Sequence, residues 1–318
     1  MKKFLTQFFM FVLILLIFSY IFDIFISNNL KKSNSFAHKE YSSWNSLLEG
    51  RINSDVLIYG SSRAWVQINP AMITKIFNLS CYNLGIDAHN FWLQNLRHEY
   101  VLEKNKQPKF IIHSLDIFTL SKIPNLVNSE QFLPYMLFNN KIKKATISYK
   151  GYKTIDYYIP LIRYFGNHES IEESLQMSKN AINKIERING YQGQNKIWNK
   201  DFEIAQKNNP IFEIPFDEGT LELFDKFIKD CKRKNIKLIF VYTPEYIEGQ
   251  KFVKNRKFII ETFSKISKKY KIPFFDYSND SISFDKKYFY NALHLNKKGS
   301  EIFTKKFVAT LEKEKIFK

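Results

Sequence analysis

Five short apolar runs, each followed by a stretch with room for a helix, constrain this chain more than any other feature. They are Asp55-Val-Leu-Ile-Tyr-Gly60, Cys81-Tyr-Asn-Leu-Gly85, Phe110-Ile-Ile-His-Ser-Leu115, Ile236–Thr243 and Ile272–Tyr277. Their hydrophobicity is continuous rather than alternating, which suits strands covered on both faces of a parallel sheet. Pro70 opens a helix to about Phe77, because proline is favoured in a first helical turn. Amphipathic patterns predict further helices over His89–Glu103, 217–234, 252–270 and 297–314. This alternation predicts an α/β fold built on a doubly wound parallel sheet of about five strands.

Two regions stand outside the alternation. From Phe4 to Leu30 the only charge is Asp23, and Phe8–Phe22 is almost continuously apolar. A span of about 20 such residues crosses a bilayer, whereas a cleaved signal peptide has an apolar core of about 7–15. The best small-x-small site, Ser35-Phe36-Ala37, is poor, so residues 1–30 are expected to be an uncleaved signal anchor. Lys2 and Lys3 precede the segment and Lys31, Lys32 and Lys39 follow it, so charge barely sets its orientation. Residues 31–52 read as a polar connector with a helix around Trp44–Leu48. The second region, 120–215, holds aromatic-rich helical pieces and the joints Pro134, Pro160, Gly166 and Gly190–Gln194. It reads as an insertion covering one end of the sheet, within a main domain spanning 53–318.

Hydrophobic residues make up 45% of the chain and aromatics 17%, which argues against intrinsic disorder. The net charge of +17 comes from scattered lysines such as Lys229, Lys232, Lys265 and Lys268, at positions suited to solvated helix faces. It would suit an anionic partner, but the scattered placement favours an ordinary solvated surface, and no nucleic-acid motif accompanies it. Cys81 and Cys231 lie in apolar surroundings as buried thiols. No metal-ligand spacing and no cofactor motif is present.

Open sheets of this kind bind ligands beyond the carboxyl ends of their strands. The candidates are therefore Ser61-Ser62-Arg63, Gly85–His89, Asp116, Thr243-Pro-Glu245 and the segment between Tyr277 and Gly299. Of the histidines, His113 falls inside a strand, His98 in a helix, His168 in the insertion and His38 in the connector. Only His89 and His294 sit at strand ends. A histidine in the last loop can reach a serine after the first strand, take its proton and return it to a leaving group.

Gly60-Ser61-Ser62-Arg63, a strand ending in Asn83-Leu-Gly85, and Asn291-Ala-Leu-His294 before the last helix resemble, in that order, the motifs of the SGNH/GDSL hydrolase superfamily. The resemblance covers roughly 53–118 and 217–314. It implies the flavodoxin-like, SGNH-type sheet, Ser62 as nucleophile, His294 as base, and the backbone N–H groups of Ser62 and Gly85 as an oxyanion hole. The family's third-block asparagine has no counterpart, since Ser114-Leu-Asp116 stands there. Asn291 replaces the triad aspartate, an exchange that costs about 10⁴ in rate in serine proteases. A Ser–His dyad is one outcome, support from Asp280 or Asp285 another, and a degenerate site a third.

Arg63 is a candidate for a substrate carboxylate or phosphate, or for a structural salt bridge. Glu245 is a candidate cleft residue. An anchored SGNH domain resembles the D-alanine transfer and polysaccharide O-acetyl transfer proteins. That implies a bacterial membrane protein with one span and an extracytoplasmic catalytic domain. The implied activity is a serine esterase or O-acyltransferase. Its implied partners are an acylated polysaccharide or acyl donor and a membrane-bound acyltransferase. The alternative is a catalytically degenerate binding or scaffold protein of the envelope.

Overall fold

The computed structural model describes residues 1–35, 39–179, 187–209 and 211–317. His38 and the Phe36-Ala37 part of the weak cleavage site lie outside the described residues. The chain forms two compact units, 1–48 with 124–186 and 49–123 with 187–318. The segment 120–215 is thus divided between them.

The second unit is an α/β fold. Its sheet contains β1 (Val56–Tyr59), β2 (Cys81–Asn83), β3 (Phe110–Leu115), β4 (Lys237–Tyr242) and β5 (Phe274–Asp276), ordered 2-1-3-4-5 and parallel throughout. All residues of β1 and β3 are buried, as their unbroken apolar runs predict. Ile58, Ile112, Ile239 and Val241 pack with Phe303 and Phe307 of the last helix, Lys297–Lys313. The register row Tyr59, His113, Phe240 belongs to an aromatic layer with Phe224 and Phe227. His113 is therefore a core residue, its Nε2 2.7 Å from Gln94 Oε1.

Local signals placed several helices closely. Pro70–Phe77 begins as expected, with the Asn69 side chain accepting from Ala71 N–H and Pro70 in the first turn. Asp217 caps Glu218–Arg233 and Asn296 caps Lys297–Lys313 in the same way. The helix expected over 252–270 runs over Arg256–Tyr270, and a separate short helix, Ile247–Phe252, precedes it. The sequence reading forecast neither the helices Ser62–Gln67 and Ile247–Phe252 nor the antiparallel pair of β6 (Phe289–Asn291) and β7 (His294–Leu295).

In the first unit, the helix Lys2–Leu30 is long and apolar enough to cross a membrane or to serve as a signal sequence. Its side chains from Phe4 to Phe22 are exposed or nearly so, about 30 Å of helix at 1.5 Å per residue. From Asp23 onward the helix becomes part of the unit. Asp23 receives two bonds from the Arg163 guanidinium, each 2.6 Å, and one from Leu161 N–H at 2.8 Å. Ser27 pairs with Tyr164 at 2.8 Å, and Asn45 donates to the Leu30 carbonyl at 3.2 Å.

Candidate active site

Ser62 is the first residue of its helix, reached from β1 through Gly60 and Ser61. Gly60 has φ +147°, and a Cβ there would lie 2.8 Å from the Ser114 carbonyl, so only glycine permits this turn. Gly85 is needed for a different reason, because a Cβ would stand 2.7 Å from the Ser61 carbonyl. The β2 exit and the serine loop touch backbone to backbone.

Ser62 Oγ lies 2.7 Å from His294 Nε2, and His294 Nδ1 lies 2.9 Å from Asn291 Oδ1. The local sequence builds the second contact. Asn291 and His294 face each other across the β6–β7 pair, and Asn291 Oδ1 also accepts from Leu293 N–H at 3.1 Å and His294 N–H at 3.0 Å. Asparagine commonly folds back on the following backbone in this way. Two backbone N–H groups can only donate, so the amide atom facing them is the oxygen. The same oxygen therefore faces the ring, Nδ1 carries the proton, and Nε2 presents its lone pair to the Ser62 hydroxyl. The tautomer required of a base is fixed without a carboxylate.

Burial, then the positive charges of Arg63 and Lys196, hold His294 well below the usual imidazole range. The ring is therefore neutral at neutral pH, with Nε2 facing the Ser62 hydroxyl, and is a weaker base than a free imidazole. Tyr290 lies parallel to it, 6° between planes and 5.3 Å between centroids. Gln67 Nε2 donates to the Leu293 carbonyl at 3.0 Å, tying the serine helix to the histidine turn. Neither Asp280 nor Asp285 supports the ring, since Asp280 binds Lys306 at 2.7 Å and Asp285 binds Lys287.

The neighbours of Ser62 are held structurally. Ser61 Oγ donates to Asp116 Oδ2 at 2.5 Å and caps the helix at Arg63 N–H. Burial pushes the Asp116 carboxyl up, and Arg63 and the Ser61 hydroxyl oppose that shift. Arg63 and Glu245, the two expected substrate contacts, pair with each other at 2.5 Å with both side chains buried. Arg63 also donates to Thr243 and lies over the Tyr242 ring, 4.6 Å from its centroid, while Arg256 reaches the other Glu245 oxygen at 3.2 Å. Trp65 Nε1 donates to Asp87 at 2.6 Å beneath the Arg187 guanidinium.

Asn83 belongs to the second motif in the sequence but has no role assigned there. Its amide nitrogen donates to the Ala64 and Ile68 carbonyls at 2.8 and 2.9 Å, and its oxygen accepts from Gly85 N–H at 2.9 Å. Of the two expected oxyanion donors, the Gly85 N–H is thus already engaged. The Ser62 N–H has no acceptor among the described residues. His89 is buried after β2, and its carbonyl accepts from Gln94 Nε2. Among the described residues no cluster of potential metal ligands occurs.

No protein-family model matches the sequence, and no curated protein does. Among solved structures the chain is similar to a Bacteroides fragilis protein described as a "putative acylhydrolase", with 14% identity and a TM-score of 0.32. That alignment covers 80% of this chain and 86% of the other. The chemistry of the site stands on its own geometry.

Proposed function

We propose that the protein is a membrane-anchored SGNH-type serine esterase or O-acyltransferase, acting on O-acyl groups of a cell-envelope polysaccharide. The observation that carries this reading is the aligned chain of Ser62, His294 and Asn291 with its tautomer fixed. Ser62 Oγ attacks the ester carbonyl while its proton passes to His294 Nε2. The tetrahedral intermediate collapses, the C–O bond to the alcohol breaks, and Nε2–H protonates the departing oxygen. Water or a sugar hydroxyl then attacks the acyl-serine, giving its proton to Nε2, and the serine is restored. Water makes the reaction hydrolysis; a sugar hydroxyl makes it transfer. Asn291 orients the imidazole but adds no charge to stabilise imidazolium.

The Asp23–Arg163 pair supports a retained anchor, because removing the helix would strip a buried guanidinium of its carboxylate. The envelope polymer and the extracytoplasmic topology rest on the motif resemblance. A non-catalytic envelope binding protein is the second reading, favoured by the neutral Asn291 and by the engaged Gly85 N–H. Turnover of p-nitrophenyl acetate by the full chain in detergent decides between them. Ser62→Ala should lose at least about 10³-fold, and undiminished turnover would remove Ser62 from the mechanism.

A further inference from the structure

In the first unit, the segment from Thr154 to Phe165 has its polarity turned inside out. Its two charged residues are buried: Asp156 accepts from Lys153 N–H at 2.6 Å, and the Arg163 guanidinium binds Asp23. Its exposed side chains are mostly large and apolar, namely Ile155, Tyr158, Ile159, Ile162 and Phe165, the last 91% exposed. Bonds from Tyr158 N–H to the Ile155 carbonyl at 3.1 Å and from Phe165 N–H to the Ile162 carbonyl at 3.0 Å close two 3₁₀-type turns. Side chains three apart eclipse in such turns, so these residues stand in two outward apolar pairs. Phe138, also exposed, is joined to them by its N–H, which donates to the Tyr157 carbonyl at 2.8 Å. Single apolar side chains are ordinary on a surface, whereas a gathered group marks a binding face.

The position of this face on the helix Lys2–Leu30 selects its occupant. Leu161 N–H donates to Asp23 Oδ2 at 2.8 Å, so the segment meets the helix at the residue that ends its exposed apolar stretch. That stretch matches the hydrocarbon core of a bilayer, about 30 Å thick. The segment then lies at the depth of the lipid headgroups, where tyrosine gathers and apolar side chains sink about 5–10 Å into the boundary. The charges agree with this placement. Residues 138–166 carry Lys141, Lys143, Lys144, Lys150, Lys153 and Arg163 against one acid, the buried Asp156. The Lys143 ammonium lies 4.6 Å from the Tyr158 ring centroid and donates to its hydroxyl at 3.0 Å. Apolar side chains bordered by ammonium groups fit an anionic phospholipid surface, which takes the apolar parts inward and meets the charges with phosphates.

We propose that Ile155, Tyr158, Ile159, Ile162 and Phe165 form a second membrane contact, seated in the headgroup layer of an anionic bilayer beside the end of the apolar helix. The proposal rests on the retained anchor of the reading above and is independent of the serine chemistry.

The test uses the full chain in vesicles of phosphatidylcholine and phosphatidylglycerol. Cys81 and Cys231 are buried, so a thiol-reactive fluorophore is directed by Phe18→Cys, Ile159→Cys, Phe165→Cys or Ser178→Cys. Ser178 is the reference, because Tyr164 meets Ser27 and Glu173 meets Ser33, so that the helix His168–Ser178 leads away from the level of Asp23. Lipids spin-labelled at the headgroup should quench the probes at 159 and 165 severalfold more than the probe at 178. Lipids spin-labelled deep in the chain should quench the probe at 18. Quenching at 18, with 159 and 165 no different from 178, overturns the surface contact and leaves the anchor standing. No quenching at 18 overturns the anchor on which the proposal stands. Vesicles of phosphatidylcholine alone should lower the quenching at 165 but not at 18, and equal quenching in both overturns the anionic preference. Oxidative cross-linking of two Phe165→Cys chains, with the probe at 165 shielded from lipid, assigns the face to a second copy and overturns the lipid occupant.

Discussion

Asp23–Arg163 in the first unit and Arg63–Glu245 in the α/β unit are both buried guanidinium–carboxylate pairs, with side chains no more than 3% exposed. Such pairs add little net stability over apolar replacements, yet breaking one is costly because the remaining charge is stranded. Each pair therefore acts as a register pin. In the first unit the pin marks where the exposed apolar stretch of the helix stops and the packed stretch begins. In the α/β unit it ties the residue after Ser62 to the segment that follows β4. The same interaction bounds an apolar helix in one unit and holds a loop beside the candidate site in the other.

Removing either arginine should give the largest effect. Arg63→Ala and Arg163→Ala are each expected to destabilise by about 3–5 kcal/mol. Only Arg63→Ala should also reduce turnover per folded molecule. Melting curves in detergent, combined with kcat measured on titrated active sites, test this; an equal loss of kcat in Arg163→Ala would break the comparison.

Acid should separate the units next. His98 and His113 lie in the α/β unit, and burial pushes them down to about 4 and about 3. In the unfolded chain both titrate near 6.5, so below that pH the unfolded state binds more protons and stability falls. The loss should begin below pH 6.5 and continue toward pH 4 to 3, at up to about 1.4 kcal/mol per pH unit for each proton. His168, by contrast, is exposed in the first unit. Hydrogen exchange resolved by segment should show β1 and β3 opening in acid before Arg163 and its surroundings do.

The smallest effect is a shift in pH profile. His294 must be neutral to act, and its proton affinity is held down, so the acid limb of kcat/KM should lie below pH 6.5. Asn291→Asp should raise the limb by about one pH unit by favouring imidazolium. An unmoved limb would mean that Asn291 does not face the ring in solution.

The sheet was legible because β1 and β3 are buried on both faces and their sequences carry that burial as unbroken apolar runs. Ser62 and His294 were legible because strand ends are few and the motifs occur in order. The six-residue helix Ser62–Gln67 was not, being too short to show a period. The β6–β7 turn was hidden because Ala292-Leu293 carries no turn signal; the bend is made by the Asn291 side chain. Arg63 with Glu245, and Asp23 with Arg163, stand 182 and 140 residues apart, and no local pattern announces such a partner.

Around Ser62, the side chains of Ser61, Arg63, Trp65 and Gln67 bond to structural partners elsewhere in the unit, whereas the Ser62 hydroxyl bonds the candidate base His294. Under the proposed chemistry, a residue that reacts stands between residues that hold the fold. In a saturation-mutagenesis map, cellular abundance should collapse at 61, 63 and 65, while at 62 small residues keep abundance and lose turnover. Under the proposed chemistry, a lineage released from selection for catalysis could exchange Ser62 for alanine while keeping its flanks, leaving a well-folded descendant that lacks one oxygen atom.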